Sequence, residues 1–274
     1  MRKPGEKTAA EMRAALSGIR CFLLDMDGTF YLGDRIIEGS MEFLQKVEQT
    51  GRSYLFLTNN SSRSVQHYVE KLGRLGLHVG EDKILTSGQA AAQYLKREYP
   101  GKRVFLLGNP SLREEMEKHG IALEDEHPDL VLVGFDTTLD YAKMTRVCDL
   151  VREGLPYIAT HPDFNCPTES GFIPDIGAIM AFIEASTGRK ADVIIGKPCG
   201  EIVRAAQERT GLARGEMAMV GDRLYTDIAC GVNAGIDTVL VLSGVTGRHD
   251  ISKFPYRPRL VLNGVGDIPG PVGA

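Results

Sequence analysis

The chain has 274 residues, 43% hydrophobic and 25% charged, with a formal net charge of −4. This composition suits a globular protein with one large or two modest cores, and the negative balance gives no overall basic field for nucleic acid or an anionic membrane. Five cysteines, Cys21, Cys148, Cys166, Cys199 and Cys230, are scattered without a C-x-x-C pair, which argues against a disulfide scaffold and a zinc site.

The opening MRKPGEKTAAEMRAALSG has early basic residues but no apolar stretch of signal-peptide length. No later segment offers the roughly 18 apolar residues of a membrane span, so a cytoplasmic location is expected. Short, continuous apolar runs then follow at residues 21–24 and 54–57, and runs apolar on both faces predict buried parallel strands. Between them and the next runs, Val65, Tyr68, Val69, Leu72 and Leu75 recur at spacings of three and four, the stripe of an amphipathic helix.

The middle of the chain repeats the pattern, with strands predicted at 104–107, 130–133 and 157–159 and helices at 90–98, 112–119 and 141–152. Runs at 193–195, 217–220 and 239–242 return to the first sheet. The fold class expected is α/β: a Rossmann-like parallel-sheet core from residues 1–86 and 188–274, with an α/β cap of residues 87–187 inserted between its halves. The final NGVGDIPGPVGA reads as a loosely held tail.

Four of the predicted core strands run directly into polar residues: Leu24 into Asp25-Met-Asp27-Gly-Thr, Leu57 into Thr58-Asn-Asn-Ser, Ile195 into Gly-Lys197-Pro, and Val220 into Gly-Asp222-Arg-Leu-Tyr-Thr-Asp227. In an open parallel sheet, ligands bind at the edge where strands end, so the parallel arrangement predicts that these distant segments share a rim. Asp25 and Asp27, two apart on an extended chain, point to one side, and Gly28 permits a sharp turn. With Asp222 they form three carboxylates that repel, by about 4 kcal/mol for unit charges 4 Å apart at an effective dielectric near 20. A divalent cation removes that conflict, and all-oxygen ligands with few protein contacts suit Mg²⁺. Thr58 and Lys197 add a hydroxyl and a fixed positive charge for phosphoryl oxygens.

DMDGT, LTNNS, GKP and GDRLYTD resemble, in order and separation, the four motifs of the haloacid-dehalogenase-like phosphatases. The DMDGTFYLG opening, the TNNSSRS segment and the insert between the second and third motifs resemble the NagD, or 4-nitrophenylphosphatase-like, branch with a C2-type cap. The resemblance covers nearly the whole chain. It implies Asp25 as nucleophile and metal ligand, Asp27 as acid/base and as a metal ligand through its backbone carbonyl, and Asp222 completing the Mg²⁺ site with Asp227 in support. It also implies that Thr58 and Asn59 bind the phosphoryl group and that Lys197 neutralises it. An aspartyl-phosphate splits a difficult hydrolysis into two easier steps, and an acid at Asp27 fits ester cleavage, since a halide leaves without a proton.

Each feature also has a plainer reading. D-x-D after a strand commonly solvates a turn or caps a helix, and Asn59, Asn60 and Ser61 can cap the helix that follows. Arg63 and Arg223 read equally as solvated surface groups, so both stay outside the expected site. The polar stretch 160–177 resembles a substrate-facing cap loop, which would make His161, Asp163 and Asn165 specificity residues; a turn with a hydrogen-bonded histidine fits the same letters.

The expected function is Mg²⁺-dependent hydrolysis of small organic phosphate monoesters, such as a sugar phosphate, a nucleotide or a related metabolite. Nucleic acid and membrane are not expected partners, and an exposed cap face would allow a homodimer. Two alternatives share the chemistry: a phosphotransferase or mutase that passes the phosphoryl group to a second hydroxyl, and a phospho-aspartate switch, against which the chain's length and insert count.

Overall fold

The structure is a computed structural model describing residues 8–168 and 171–270. The chain forms two compact units, one made of Met1–Leu57, Lys71–Ile84 and Ala206–Ala274, the other of Thr58–Glu70 and Leu85–Ala205.

The first unit is built on a parallel sheet in the order Leu260–Leu262, Asp237–Val241, Met217–Gly221, Cys21–Asp25 and Ser53–Thr58, followed by the strand that begins at Ile84. Register is set by apolar side chains buried on both faces: Leu24 lies opposite Phe56 on one side and Val220 on the other, and Val220 lies opposite Val239. Because Leu260–Leu262, Asp237–Val241, Met217–Gly221, Cys21–Asp25 and Ser53–Thr58 pair in parallel, their carboxyl ends fall on one edge, with Asp25 opposite Leu57. The helix Ser40–Gln49 packs Phe43, Leu44 and Val47 inward, and the Phe43 ring meets Phe22 edge to face at 5.3 Å. Each such side chain contributes roughly 1.5–3 kcal/mol through burial.

The expected loose tail is corrected over its described part. Val265 and Ile268 are buried at 0% and 3% exposure. Gly266 lies so close to Gly39 that a methyl on Gly39 would sit 2.8 Å from its Cα. The apolar residues are too few and too interrupted by Gly and Pro to register as an element, yet they fill a place against the helix Ser40–Gln49.

The second unit holds a parallel five-stranded sheet in the order Val193–Ile194, Tyr157–Ala159, Leu130–Val133, Arg103–Leu107, Ala122–Leu123. Its helices start where polar caps allow: Thr86 accepts from Gln89 N, Asn109 from Leu112 N with Pro110 in the first turn, and Asp140 from Lys143 N. Tyr157, Val131, Val133, Phe105 and Ile183 form its core. This sheet corrects one expectation, because the run at 193–195 was assigned to the core sheet. Val193 and Ile194 instead pair with Ile158 and Ala159. Residues 165–174, read as a polar loop, contain an antiparallel pair, Asn165–Thr168 with Gly171–Pro174.

Candidate active site

Asp25 ends its strand half-buried, and Leu24 pairs with Val220, so Gly221 and Asp222 leave the neighbouring strand beside it. A π-helical turn, Leu224–Ile228, then carries Asp227 back. As a result one carboxylate oxygen from each of Asp25, Asp222 and Asp227 lies within 4.8 Å of the other two. Asp222 and Asp227 are both at 0% exposure. Burying like charges this closely is costly unless a cation joins them. The donor set, all carboxylate oxygen, is one that a divalent cation fits.

The segment after the strand Asp237–Val241 holds this arrangement in place. Val245 N donates to Asp222 Oδ2 at 2.7 Å, and Ser243 Oγ donates to the backbone carbonyl of Gly28 at 2.8 Å. One short turn therefore ties the Asp222 side chain to the loop that follows Asp25 and Asp27. Gly28 has φ +84°, a conformation that glycine adopts without strain. A methyl there would lie 2.6 Å from Asp222 Oδ2, and a methyl on Gly244 would lie 2.0 Å from the same oxygen. We expect Gly244→Ala to displace the Asp222 carboxylate and raise the metal concentration for half-maximal activity by about 10- to 100-fold, the range seen when the support of a ligand is lost. Activity titrated against metal, with circular dichroism as the check on folding, measures it; an unchanged titration refutes it.

Asp27 is half-buried two residues beyond Asp25, where Gly28 N bonds back to Tyr31 O at 2.7 Å. Burial pushes the Asp27 carboxyl above its ordinary range; Lys71 and Arg223 oppose that shift, and Asp25 reinforces it. Lys71 Nζ itself sits over the Tyr31 ring at 4.1 Å. Arg223, left out of the expected site, belongs among these groups. Burial disfavours its charge, yet Asp25, Tyr225, Asp222 and Asp227 together keep its guanidinium above the usual value. Its backbone N–H also donates to Asp227 Oδ2 at 3.0 Å. The only signal in the sequence was its place next to Asp222. Ser243 and Val245 gave none, because their contacts involve backbone atoms.

The other expected residues lie in the second unit. The Thr58 hydroxyl accepts from Asn60 N at 3.2 Å. Asn59 joins two motifs: its Oδ1 accepts from Lys197 N at 2.8 Å, and its amide donates to Lys197 O at 2.8 Å and to Asp163 Oδ2 at 3.0 Å. Lys197 is buried at 3% exposure. Thus Asn59, Lys197 and Asp163 come together, although 138 residues separate the first two. Asn165 does not join them, whereas His161 lies alongside: Ser87 Oγ donates to Asn59 O and stands 3.5 Å from His161 Nδ1. His161 is fully buried, with Nε2 3.0 Å from Asp175 Oδ1 and Nδ1 3.2 Å from Thr160 Oγ1. Both ring nitrogens are engaged within the protein, the contacts that the hydrogen-bonded-turn reading describes. Asn165 is exposed and begins the antiparallel pair opposite Pro174.

Two family descriptions match the chain: haloacid dehalogenase-like hydrolase over residues 22–122, and HAD-hydrolase-like over residues 194–268. The chain belongs to the haloacid dehalogenase-like hydrolases. It is 35% identical over 254 residues to the acid sugar phosphatase of Staphylococcus saprophyticus, covering 92% of this chain and 98% of that one. The 4-nitrophenylphosphatase of Thermotoga maritima superposes with a TM-score of 0.90 at 46% identity, over 94% and 99% of the two chains. NagD from Escherichia coli K-12 superposes with a TM-score of 0.85 at 34% identity, over 91% and 98%. These likenesses place the chain on the NagD-like branch, as its motifs implied, and its enzyme class is phosphoric monoester hydrolase.

Proposed function

We propose that this hydrolase cleaves small organic phosphate monoesters through a phosphoryl group carried on Asp25. The observation that carries the reading is the meeting of Asp25, Asp222 and Asp227 within 4.8 Å at the carboxyl edge of a parallel sheet. Asp25 Oδ attacks phosphorus as the ester bond breaks, and Asp27 gives its proton to the departing oxygen. Asp27 then takes a proton from water as that water attacks the aspartyl-phosphate, which releases inorganic phosphate and restores both carboxyls. Thr58 and Asn59 hold phosphoryl oxygens, and Lys197 supplies the compensating positive charge.

Mg²⁺ is the cation we assign, held by Asp25, Asp222 and the backbone carbonyl of Asp27, with Asp227 in support. When bound, it neutralises charge that builds on the phosphoryl oxygens. Residues 1–86 and 188–274 are proposed as the catalytic domain, apart from the strand Val193–Ile194 that extends the second sheet, and 87–187 as a cap that restricts substrates to small metabolites, with Asp163 contributing to selection. A sugar phosphate or nucleotide fits that restriction, and the name of the staphylococcal relative supports the former. The net charge of −4 supports a role without nucleic acid. Among the described residues no helix is long and apolar enough to cross a membrane, which is compatible with the cytoplasmic location we propose. A homodimer is proposed as well, supported by exposed Phe164 and Phe172 on the cap.

The test is a panel of small phosphate esters assayed with Mg²⁺ and with excess chelator. Release of inorganic phosphate that falls at least about 100-fold in chelator and returns with Mg²⁺ is expected. Indifference to chelator overturns the metal assignment, and formation of a phosphorylated isomer instead of free phosphate overturns hydrolysis.

A further inference from the structure

Within the second unit, both N–H donors and the oxygen of the Asn59 amide are engaged. A peptide N–H can only donate and a peptide carbonyl can only accept, so the main chain of Lys197 dictates which way that amide lies. Its Oδ1 faces Lys197 N at 2.8 Å and its Nδ2 faces Lys197 O at 2.8 Å. The other hydrogen on Nδ2 goes to Asp163 Oδ2 at 3.0 Å. We propose that, given the role assigned above to Lys197 in the reaction, Asp163 is a positioning residue that acts on this lysine through the Asn59 amide.

Two bonds from one amide to one residue's main chain form a clamp, and rotation of the amide about its last side-chain bond breaks both. A carboxylate oxygen on the remaining N–H makes a charge-assisted bond, which is stronger than a neutral one and resists that rotation. Asn59 and Lys197 are 8% and 3% exposed, so water has little access to replace a bond that is lost. Gly196, just before the lysine, leaves no slack: a methyl on it would lie 2.6 Å from Asn59 Oδ1, 2.8 Å from Thr160 O and 2.9 Å from His161 Cβ. A turn of the Asn59 amide therefore shifts the main chain from which the Lys197 side chain departs.

Asp163 is itself fixed. Its carbonyl accepts from Gly177 N at 2.7 Å, in the first turn of the helix Ile176–Thr187, and a methyl on Gly177 would lie 2.5 Å from Pro162 O. The Asn59 carbonyl accepts from the Ser87 hydroxyl at the start of the helix Ser87–Glu98. Asn59 is thus held at its side chain and at its main chain by segments remote in sequence. With both amide hydrogens taken, Asn59 meets a phosphoryl oxygen through its main chain, and its side chain serves Lys197. Selection of a substrate reads the organic portion, whereas the placement of Lys197 bears on the phosphoryl group that every ester shares.

The experiment measures kcat and KM for 4-nitrophenyl phosphate and glycerol 2-phosphate, and inhibition by orthovanadate, on the full chain with Mg²⁺ and on Asp163→Ala, Asp163→Ser and Asp163→Asn. Orthovanadate has no organic portion, so a residue that only selects the leaving group does not alter its inhibition; it adopts the shape of the phosphoryl group in transfer and reports the placement of Lys197. Alanine and serine are too short to reach the amide. Both are expected to lower kcat on the two esters at least about tenfold and to weaken vanadate inhibition by a similar factor, with KM held within about threefold. Asparagine keeps an acceptor oxygen at the same reach and is expected to retain kcat within about threefold. Melting temperatures should stay within a few degrees throughout. Unchanged kcat in the two truncated variants, a loss on one ester alone, unaltered vanadate inhibition, or an asparagine variant as impaired as alanine overturns the positioning role. A large fall in melting temperature in both truncated variants overturns it too, since the loss then belongs to the fold. Failure of the proposed reaction would appear as no phosphate release from the unmutated chain, whereas failure of the positioning role appears only in the ratio between variants, so the two ideas fail separately.

Discussion

Asp25→Asn is expected to lower kcat by at least about 10⁴-fold on every phosphate ester, since an amide oxygen does not form the covalent phosphoryl intermediate. The substitution is nearly isosteric. Asp25 takes part in its sheet through the backbone, opposite Leu57, and that pairing does not depend on the side chain. Removing one of three clustered carboxylates also relieves repulsion in the metal-free protein. The melting temperature in chelator should therefore equal or exceed that of the unmutated chain. Retention of more than about 1% of turnover in a pure preparation would refute the nucleophile, and a large drop in melting temperature would show that the loss was one of folding.

How much of this was legible in the sequence follows from which atoms do the work. The strands Cys21–Asp25 and Met217–Gly221 are buried on both faces, so their letters are continuously apolar and their ends are marked by aspartates. Val193 and Ile194 are equally apolar, but an apolar run states only that a strand is covered, not which sheet covers it; they pair in the second unit. Val265 and Ile268 are buried singly between glycines, below any periodic signal.

The same division holds at the site. Asp25, Asp222 and Asp227 meet through their side chains and could be named from motif spacing. The hold on Asp222 comes from Val245 N, and Ser243 reaches a backbone carbonyl, so half of that support is blind to residue type. Arg223 was legible only as a charge, because its role depends on burial among three carboxylates. His161 shows the reverse case. A histidine in a polar stretch is chemically suggestive, and its engagement by Asp175 and Thr160 in a buried place becomes visible only when the chain is folded.

Asp27→Asn should separate the two chemical steps according to the leaving group. An alkyl phosphate leaves as a strongly basic alkoxide unless it is protonated, so the loss of the acid is expected to cost about 10²–10⁴-fold in kcat/KM. A 4-nitrophenolate leaves without a proton, so the first step on 4-nitrophenyl phosphate should be far less affected. Hydrolysis of the aspartyl-phosphate still needs a base, however, and a burst near one nitrophenolate per active site followed by slow turnover is expected. Burial raises the Asp27 carboxyl and Lys71 and Arg223 oppose the rise, with the net direction upward. A general acid works while protonated, so rates on the alkyl ester should decline as pH rises through that raised value, and this decline should vanish in Asp27→Asn. Stopped-flow absorbance and alkyl-ester pH profiles on the two proteins provide the comparison. Equal losses on both esters, with no burst, would mean that Asp27 supports the structure of the loop and does not move the proton.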